Sequence, residues 1–139
     1  MPIRLAQTEA EIAACFPVMQ ELRPHLSPDE FVERVRRQQQ QGYLLAALEE
    51  GGEVVAVAGF RLLENFAWSR FLYVDDLVTQ SEVRSKGHGR QLLDWLVRYA
   101  REHRCQELHL DSGVQRFRAH RFYLIHGMEI SSHHFVMRL

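Results

Sequence analysis

Cysteine is scarce in this chain. Cys15 and Cys105 are the only two in 139 residues, with no pairing framework between them, so the chain reads as one that keeps its thiols reduced. Neither sign of charge dominates. Seventeen Lys and Arg stand against eighteen Asp and Glu, a net charge of −1, which argues against a dedicated nucleic-acid binder. No apolar run reaches membrane-spanning length. The opening Met1-Pro2-Ile3-Arg4 lacks the apolar core of a signal peptide. Repeats, linkers and low-complexity tracts are missing too, the glutamine run at 38–41 being too short to count. These absences lead to the expectation of a soluble, cytoplasmic protein with no nucleic-acid and no membrane partner. Eight histidines are present, but no Cys/His spacing matches a zinc site. His133 and His134 are adjacent and would point apart on a strand, and His120 and His126 fall on different helical faces, so no metal is expected.

The chain does have apolar residues in quantity, 46% of the total, enough for one sizeable core. Its length fits a single domain over residues 1–139. Residues 3–6 are a first strand. Thr8 with Glu11 forms a capping box, followed by Ile12, Cys15, Phe16, Met19 and Leu22 at helical spacing, with Pro17 breaking or kinking that helix. Ser27-Pro28-Asp29-Glu30 starts a second helix that ends near Gly42. Strands follow at 43–48 and 54–63, joined through Gly51-Gly52, then at 71–79. A helix over 91–104, a strand at 108–111, a helix over 116–126 stopped by Gly127 and a last strand at 128–139 complete the reading. Interspersed helices and antiparallel hairpins define an α/β (α+β) fold with a mixed sheet.

The most informative run is Arg84-Ser85-Lys86-Gly87-His88-Gly89-Arg90, a basic, glycine-bearing turn between a strand and a helix. Its glycines let backbone approach a ligand. The helix start adds unpaired N–H donors and partial positive charge, and Arg84, Lys86 and Arg90 add full charges. The combination suits a phosphate or pyrophosphate. It is neither a P-loop, since Lys86 precedes Gly87, nor a dinucleotide fingerprint, since Leu92 occupies the third glycine position.

The run does fill the pattern [RQ]-x-x-G-x-[GA] with Arg84, Gly87 and Gly89. With the strand Leu108-His109-Leu110-Asp111 and the segment Ala119-His120-Arg121-Phe122-Tyr123-Leu124-Ile125-His126-Gly127-Met128, it resembles the GNAT superfamily of acyl-CoA-dependent N-acyltransferases. The resemblance covers roughly the half of the chain after Phe71. It implies a mostly antiparallel sheet with a splayed central strand pair and helices on both faces. It also implies acetyl-CoA as cosubstrate, with its pantetheine arm against the backbone of Leu77, Val78 and Thr79. The pyrophosphate would lie on Arg84, Ser85, Lys86, Gly87, His88, Gly89 and Arg90.

The implied reaction moves an acetyl group to a primary amine by direct attack in a ternary complex. The N–H of Leu77 is the candidate to polarise the thioester carbonyl, and Tyr123 matches the family's tyrosine, which can protonate the leaving thiolate. The attacking ammonium must lose a proton. Asp75 and Asp76 interrupt an apolar strand, where a carboxylate is costly unless paired or used. Strand alternation sends them to opposite faces, and Asp75, on the face of Leu77 and Thr79, is the candidate base. Either acid could instead hold backbone donors or a neighbouring arginine. Asp111, ending the next strand, could attract or relay the ammonium proton, or cap the Ser112-Gly113 turn. Arg116 departs from the family's common Asn and cannot accept a hydrogen bond. The cluster of Arg116, Arg118, Arg121 and His120 could meet the 3′-phosphate or simply be a solvated face.

A non-catalytic GNAT-fold sensor of acyl-CoA is the alternative. The acceptor, a small-molecule amine or a protein amine, is not written in the motifs. The stretch Glu64-Asn65-Phe66-Ala67-Trp68 could wall a cationic amine or form an interface, and the resemblance leaves a homodimer open.

Overall fold

The computed structural model describes residues 3–80 and 87–139. Contacts divide the chain into two compact units, Met1–His109 and Leu110–Leu139.

The first unit opens with β1 (Ile3–Leu5) and α1 (Glu9–Ala14). The capping box is formed: Thr8 Oγ1 accepts from the Glu11 N–H at 3.1 Å, and Glu11 Oε1 accepts from the Thr8 N–H at 3.0 Å. The break that Pro17 dictates falls at Cys15, and α2 (Phe16–Leu22) restarts with the proline in its first turn, where its missing N–H is not needed. The next helix, α3 (Pro28–Gln39), has Ser27 at its N-cap with extended backbone but no side-chain cap bond.

Strands β2 (Leu44–Glu50) and β3 (Glu53–Asn65) form a hairpin closed by Gly51 at φ +61° and Gly52 at φ +83°. Two successive left-handed residues are what a type I′ turn demands. β4 (Ser69–Thr79) pairs antiparallel with β3. The hairpin loop between them is held by Asn65, whose Oδ1 accepts from the Trp68 N–H at 2.7 Å. After α4 (His88–Glu102), β5 (Glu107–Leu110) completes a five-stranded sheet of order β1-β2-β3-β4-β5. The sheet is mostly antiparallel, as expected.

Both faces of this sheet are covered. Ile12, Cys15, Val18, Met19, Phe31 and Val35 from α1–α3 pack on Tyr43, Leu45, Ala47, Val57 and Val78. On the other face the apolar stripe of α4, with Leu92 and Leu96 fully buried, lies where Phe60 meets Trp95 and Tyr99 edge-on at 6.0 and 5.2 Å. Burying each such side chain contributes about 1.5–3 kcal/mol, so the sheet is fixed from both sides and can hold charged groups at its end.

In the second unit, α5 (Phe117–Ile125) ends in a Schellman motif. The Gly127 N–H donates to the Leu124 carbonyl and the Met128 N–H to the Tyr123 carbonyl, with Gly127 at φ +93° as this stop requires. The last strand expected at 128–139 is not formed: these residues carry no strand or helix. Alternation of apolar residues supplies a face, but a strand also needs a neighbour to take up its N–H and C=O groups. Ile130, Phe135, Val136 and Met137 are exposed, so the apolar face lacks the burial that would fix a register.

Candidate active site

The first unit builds a site where β4 bulges. Gly59 pairs with Asp76 and Phe60 with Val74, so Asp75 is the extra residue. A bulge of this kind resets the side-chain alternation. Asp76 stays on the face of Val57 and Val78, while Asp75 turns to Arg61, which pairs with Tyr73 on that same face. Both carboxylates therefore line one cavity of about 430 Å³ between α2, α3 and the sheet. Strict alternation predicted opposite faces, and a single inserted residue overrides it. Leu77, paired with Ala58, sits on the α4 side and does not share a face with Asp75.

The two acids are not equivalent. Asp76 is fully engaged: Arg23 Nε donates to Oδ1 at 2.9 Å, and the Tyr43 hydroxyl donates to Oδ2 at 2.8 Å. Burial, followed by the Asp76 charge, pushes the Tyr43 phenol well above its usual range. Asp75 accepts from Arg61 Nε through Oδ2 at 3.0 Å, and its Oδ1 is buried with no hydrogen-bond partner. Burial raises the Asp75 pKa, and the Arg61 charge opposes it. Arg61 in turn donates through Nη2 to Gln38 at 2.8 Å and lies over the Tyr43 ring. Each acid thus has the arginine partner left open from the sequence, and only Asp75 keeps an unused acceptor.

Sequence reasoning missed Arg23, Tyr43 and Arg61, because each partner is distant along the chain. Gly59 was the one available signal, since an isolated glycine in a strand marks close approach.

Of the ligand-binding expectations, Arg84, Ser85 and Lys86 lie outside the described residues. Gly87 is the N-cap of α4 in the left-handed region at φ +80°, with no side-chain cap bond. The first-turn N–H groups over His88, Gly89 and Arg90 therefore have the unfilled donor capacity of a helix start, which fits a phosphate group. The Arg90 side chain is exposed and only loosely near Asp94, at 3.9 Å. The His88 side chain turns inward rather than filling a tolerant surface position. Its Nε2 lies 3.0 Å from Glu50 Oε2, and its buried Nδ1 has no partner. Val78 is buried in the core, and Leu77 and Thr79 are half-buried.

Glu64 and Asn65 belong to β3. Trp68 is stacked on His109 at 3.6 Å, which occupies one ring of the expected aromatic wall.

In the second unit, Tyr123 is half-buried. Burial raises its pKa, while the charge of Arg116 and a hydrogen bond with it pull the other way. Asp111 lies just past β5, with Oδ1 3.4 Å from His134 Nδ1. Arg116, Arg118 and Arg121 are exposed. Among the described residues no group of three or more His, Cys, Asp or Glu is placed to hold a metal ion, and no helix is long and apolar enough to cross a membrane.

A mostly antiparallel sheet, a glycine-capped helix start after β4 and a helix ended by Tyr-x-x-x-Gly fit the acetyltransferase class that the sequence resembles. The model of the acetyltransferase (GNAT) family matches residues 5–128, and the chain belongs to that family. It is 36% identical over 117 residues, 84% of this chain and 82% of the relative, to the uncharacterized N-acetyltransferase YhdJ of Bacillus subtilis (strain 168). Among solved structures, an aminoglycoside N-acetyltransferase, AAC(6')-Iy, in complex with CoA shares the fold at TM-score 0.87 and 14% identity, covering 99% of this chain and 93% of that one. A ribosomal-protein-alanine N-acetyltransferase from Brucella melitensis shares it at TM-score 0.84 and 18% identity over the whole of both chains.

Proposed function

We propose that the chain transfers an acetyl group from acetyl-CoA to a small primary amine by direct attack in a ternary complex, as a single domain over residues 1–139. The observation that carries this reading is the buried, unpartnered Oδ1 of Asp75 on a bulged strand beside a cavity. A carboxylate oxygen left in that state is a costly arrangement that an ammonium N–H would relieve.

Asp75 takes the proton of the amine, directly or through water. Its raised pKa strengthens it as a base. Asp76, paired with Arg23 and hydrogen-bonded by Tyr43, holds the floor in place. The thioester supplies an activated acetyl carbon: the amine nitrogen bonds to it, the C–S bond breaks, and the thiolate takes a proton from Tyr123. A phenol with a raised pKa still carries that proton at neutral pH. The Leu77 N–H would face the developing oxyanion. The N–H groups of His88, Gly89 and Arg90 would hold the pyrophosphate, with Arg84, Ser85 and Lys86 as further contacts. Asp111 would attract the ammonium.

β5 starts beside Arg70, whose carbonyl accepts from the Gln106 N–H. It has four residues against eleven in β4. That mismatch supports a β4 end at Leu77, Val78 and Thr79 that pairs with an extended ligand instead of a strand. The two unpaired thiols, Cys15 and Cys105, support a cytoplasmic location.

The test is thiol release from acetyl-CoA across an amine panel, alongside calorimetric titration with CoA. Amine-dependent release that falls in Asp75→Asn is expected. Tight CoA binding with no release on any amine would favour the sensor, and no CoA binding would remove both readings.

A further inference from the structure

The cavity beside Asp75 has two unlike walls. Its floor is the sheet, with Asp75 and Asp76; its helical side carries His25 and Arg34. The charges of the floor are already matched: Arg23 and Tyr43 hold Asp76, and Arg61 holds one oxygen of Asp75. The helical side is not matched in this way. Arg34 has only a loose contact with Glu30, at 3.9 Å on an exposed helix surface. Among the described residues His25 makes no side-chain hydrogen bond.

Charge balance follows from these placements. Three arginines, at 23, 34 and 61, act on a space that holds two aspartates, with Glu30 on the helix surface as the loose partner of Arg34. A polycationic acceptor would turn its second positive charge toward Arg34 and His25 rather than toward a free carboxylate. An acceptor carrying its own anion would be neutral overall, its ammonium turned to the Asp75 carboxylate and its anion to Arg34 and His25. Arginine is the side chain best built for that contact, because its planar fork matches two oxygens of a carboxylate or phosphate. The volume of about 430 Å³ lies within the range of small-molecule sites.

We infer that the acceptor is a small amine bearing an anionic group, a carboxylate or a phosphate, gripped by Arg34 with His25 on the helical wall of the cavity. The inference rests on the acetyltransferase reading for the amine's fate, but its binding can be measured without turnover.

The experiment uses the full chain with coenzyme A present and titrates matched amines by calorimetry. O-phosphoethanolamine is compared with ethanolamine, and β-alanine with propylamine. The anionic member of at least one pair should bind roughly tenfold tighter or more, a difference of one charge-assisted contact. The pair that shows it identifies the anion. Arg34→Gln should abolish the preference, and Arg34→Lys should retain part of it. Equal binding within both pairs, no binding by any of the four, or a preference that survives Arg34→Gln would each overturn the inference. Thiol release with the same amines scores the catalytic reading separately. An Arg34-dependent preference without release would keep the anion pocket and sink the reaction.

Discussion

Gly59 and Tyr43 compete for one volume. A Cβ built on Gly59 would overlap the Tyr43 hydroxyl and stand 2.6 Å from its Cε1. Only a bare Cα on β3 lets the phenol cross the strand and donate to Asp76 at 2.8 Å.

Gly59→Ala should therefore displace the ring and break that bond. Overpacking costs about 1–3 kcal/mol and a hydrogen bond to a charged group about 1.5–3 kcal/mol, so a loss of about 3 kcal/mol or more is expected in urea denaturation. In a Tyr43→Leu background the same alanine should cost less than about 1 kcal/mol, a coupling that a double-mutant cycle reads directly. Equal damage in both backgrounds would show that the overlap is not the cause.

Much of this frame is legible in the sequence where a local rule decides. The Thr8 capping box, the break at Pro17, the Gly51-Gly52 hairpin and the stop at Gly127 each follow from one or two residues. The bulge at Asp75 does not, because a single inserted residue leaves no mark in an apolar run yet brings two carboxylates to one cavity. Arg23, Tyr43 and Arg61 reach their acids across 53, 33 and 14 residues, beyond any local pattern. The strand expected at 128–139 failed for the complementary reason, since its pattern was right but pairing depends on a neighbour.

Asp75 sets the acid limb of the proposed reaction. Its folded pKa is raised by burial, with the Arg61 charge opposing, so the base ionises at higher pH than an unburied aspartate would, and the acid limb of kcat/KM should be displaced upward in the same sense. Arg61→Gln removes an opposing charge and should move that limb further up. Asp75→Asn should lower kcat/KM by about 10²–10⁴-fold, the usual worth of a general base, and erase the limb. Stability shifts in step: the raised pKa favours the fold below the unfolded carboxyl pKa, and that contribution is lost as pH rises through the folded value. A pH–rate profile unchanged in Asp75→Asn would remove Asp75 as base.

Tyr123 should act at the other end of the reaction. Its burial-raised pKa keeps the phenol protonated through neutral pH, so loss of the hydroxyl in Tyr123→Phe should reduce kcat by about a hundredfold or more. The KM for acetyl-CoA should change little, because the hydroxyl serves the departing sulfur rather than ground-state binding. Unchanged turnover would assign the ring to packing with Phe122, its edge-on neighbour at 5.5 Å.

Cys15 offers a probe of opening in the helical layer. Burial pushes its thiol up to about 12, and its Sγ donates to the Glu11 carbonyl at 3.4 Å. The thiolate is the reactive form, so at about pH 8 only about one Cys15 in ten thousand is ionised. Cys105 is half-buried. Iodoacetamide should alkylate Cys105 far faster, with Cys15 modified only through opening of the helices around it, which mass spectrometry of the two peptides resolves. Thr8→Ala deletes the capping box and should cost about 1 kcal/mol. That loss raises the open population about fivefold and should speed Cys15 labelling by the same factor. Comparable labelling of both cysteines in the intact protein, or a Cys15 rate indifferent to Thr8→Ala, would show that this thiol is reached by some route other than opening of the capped helix.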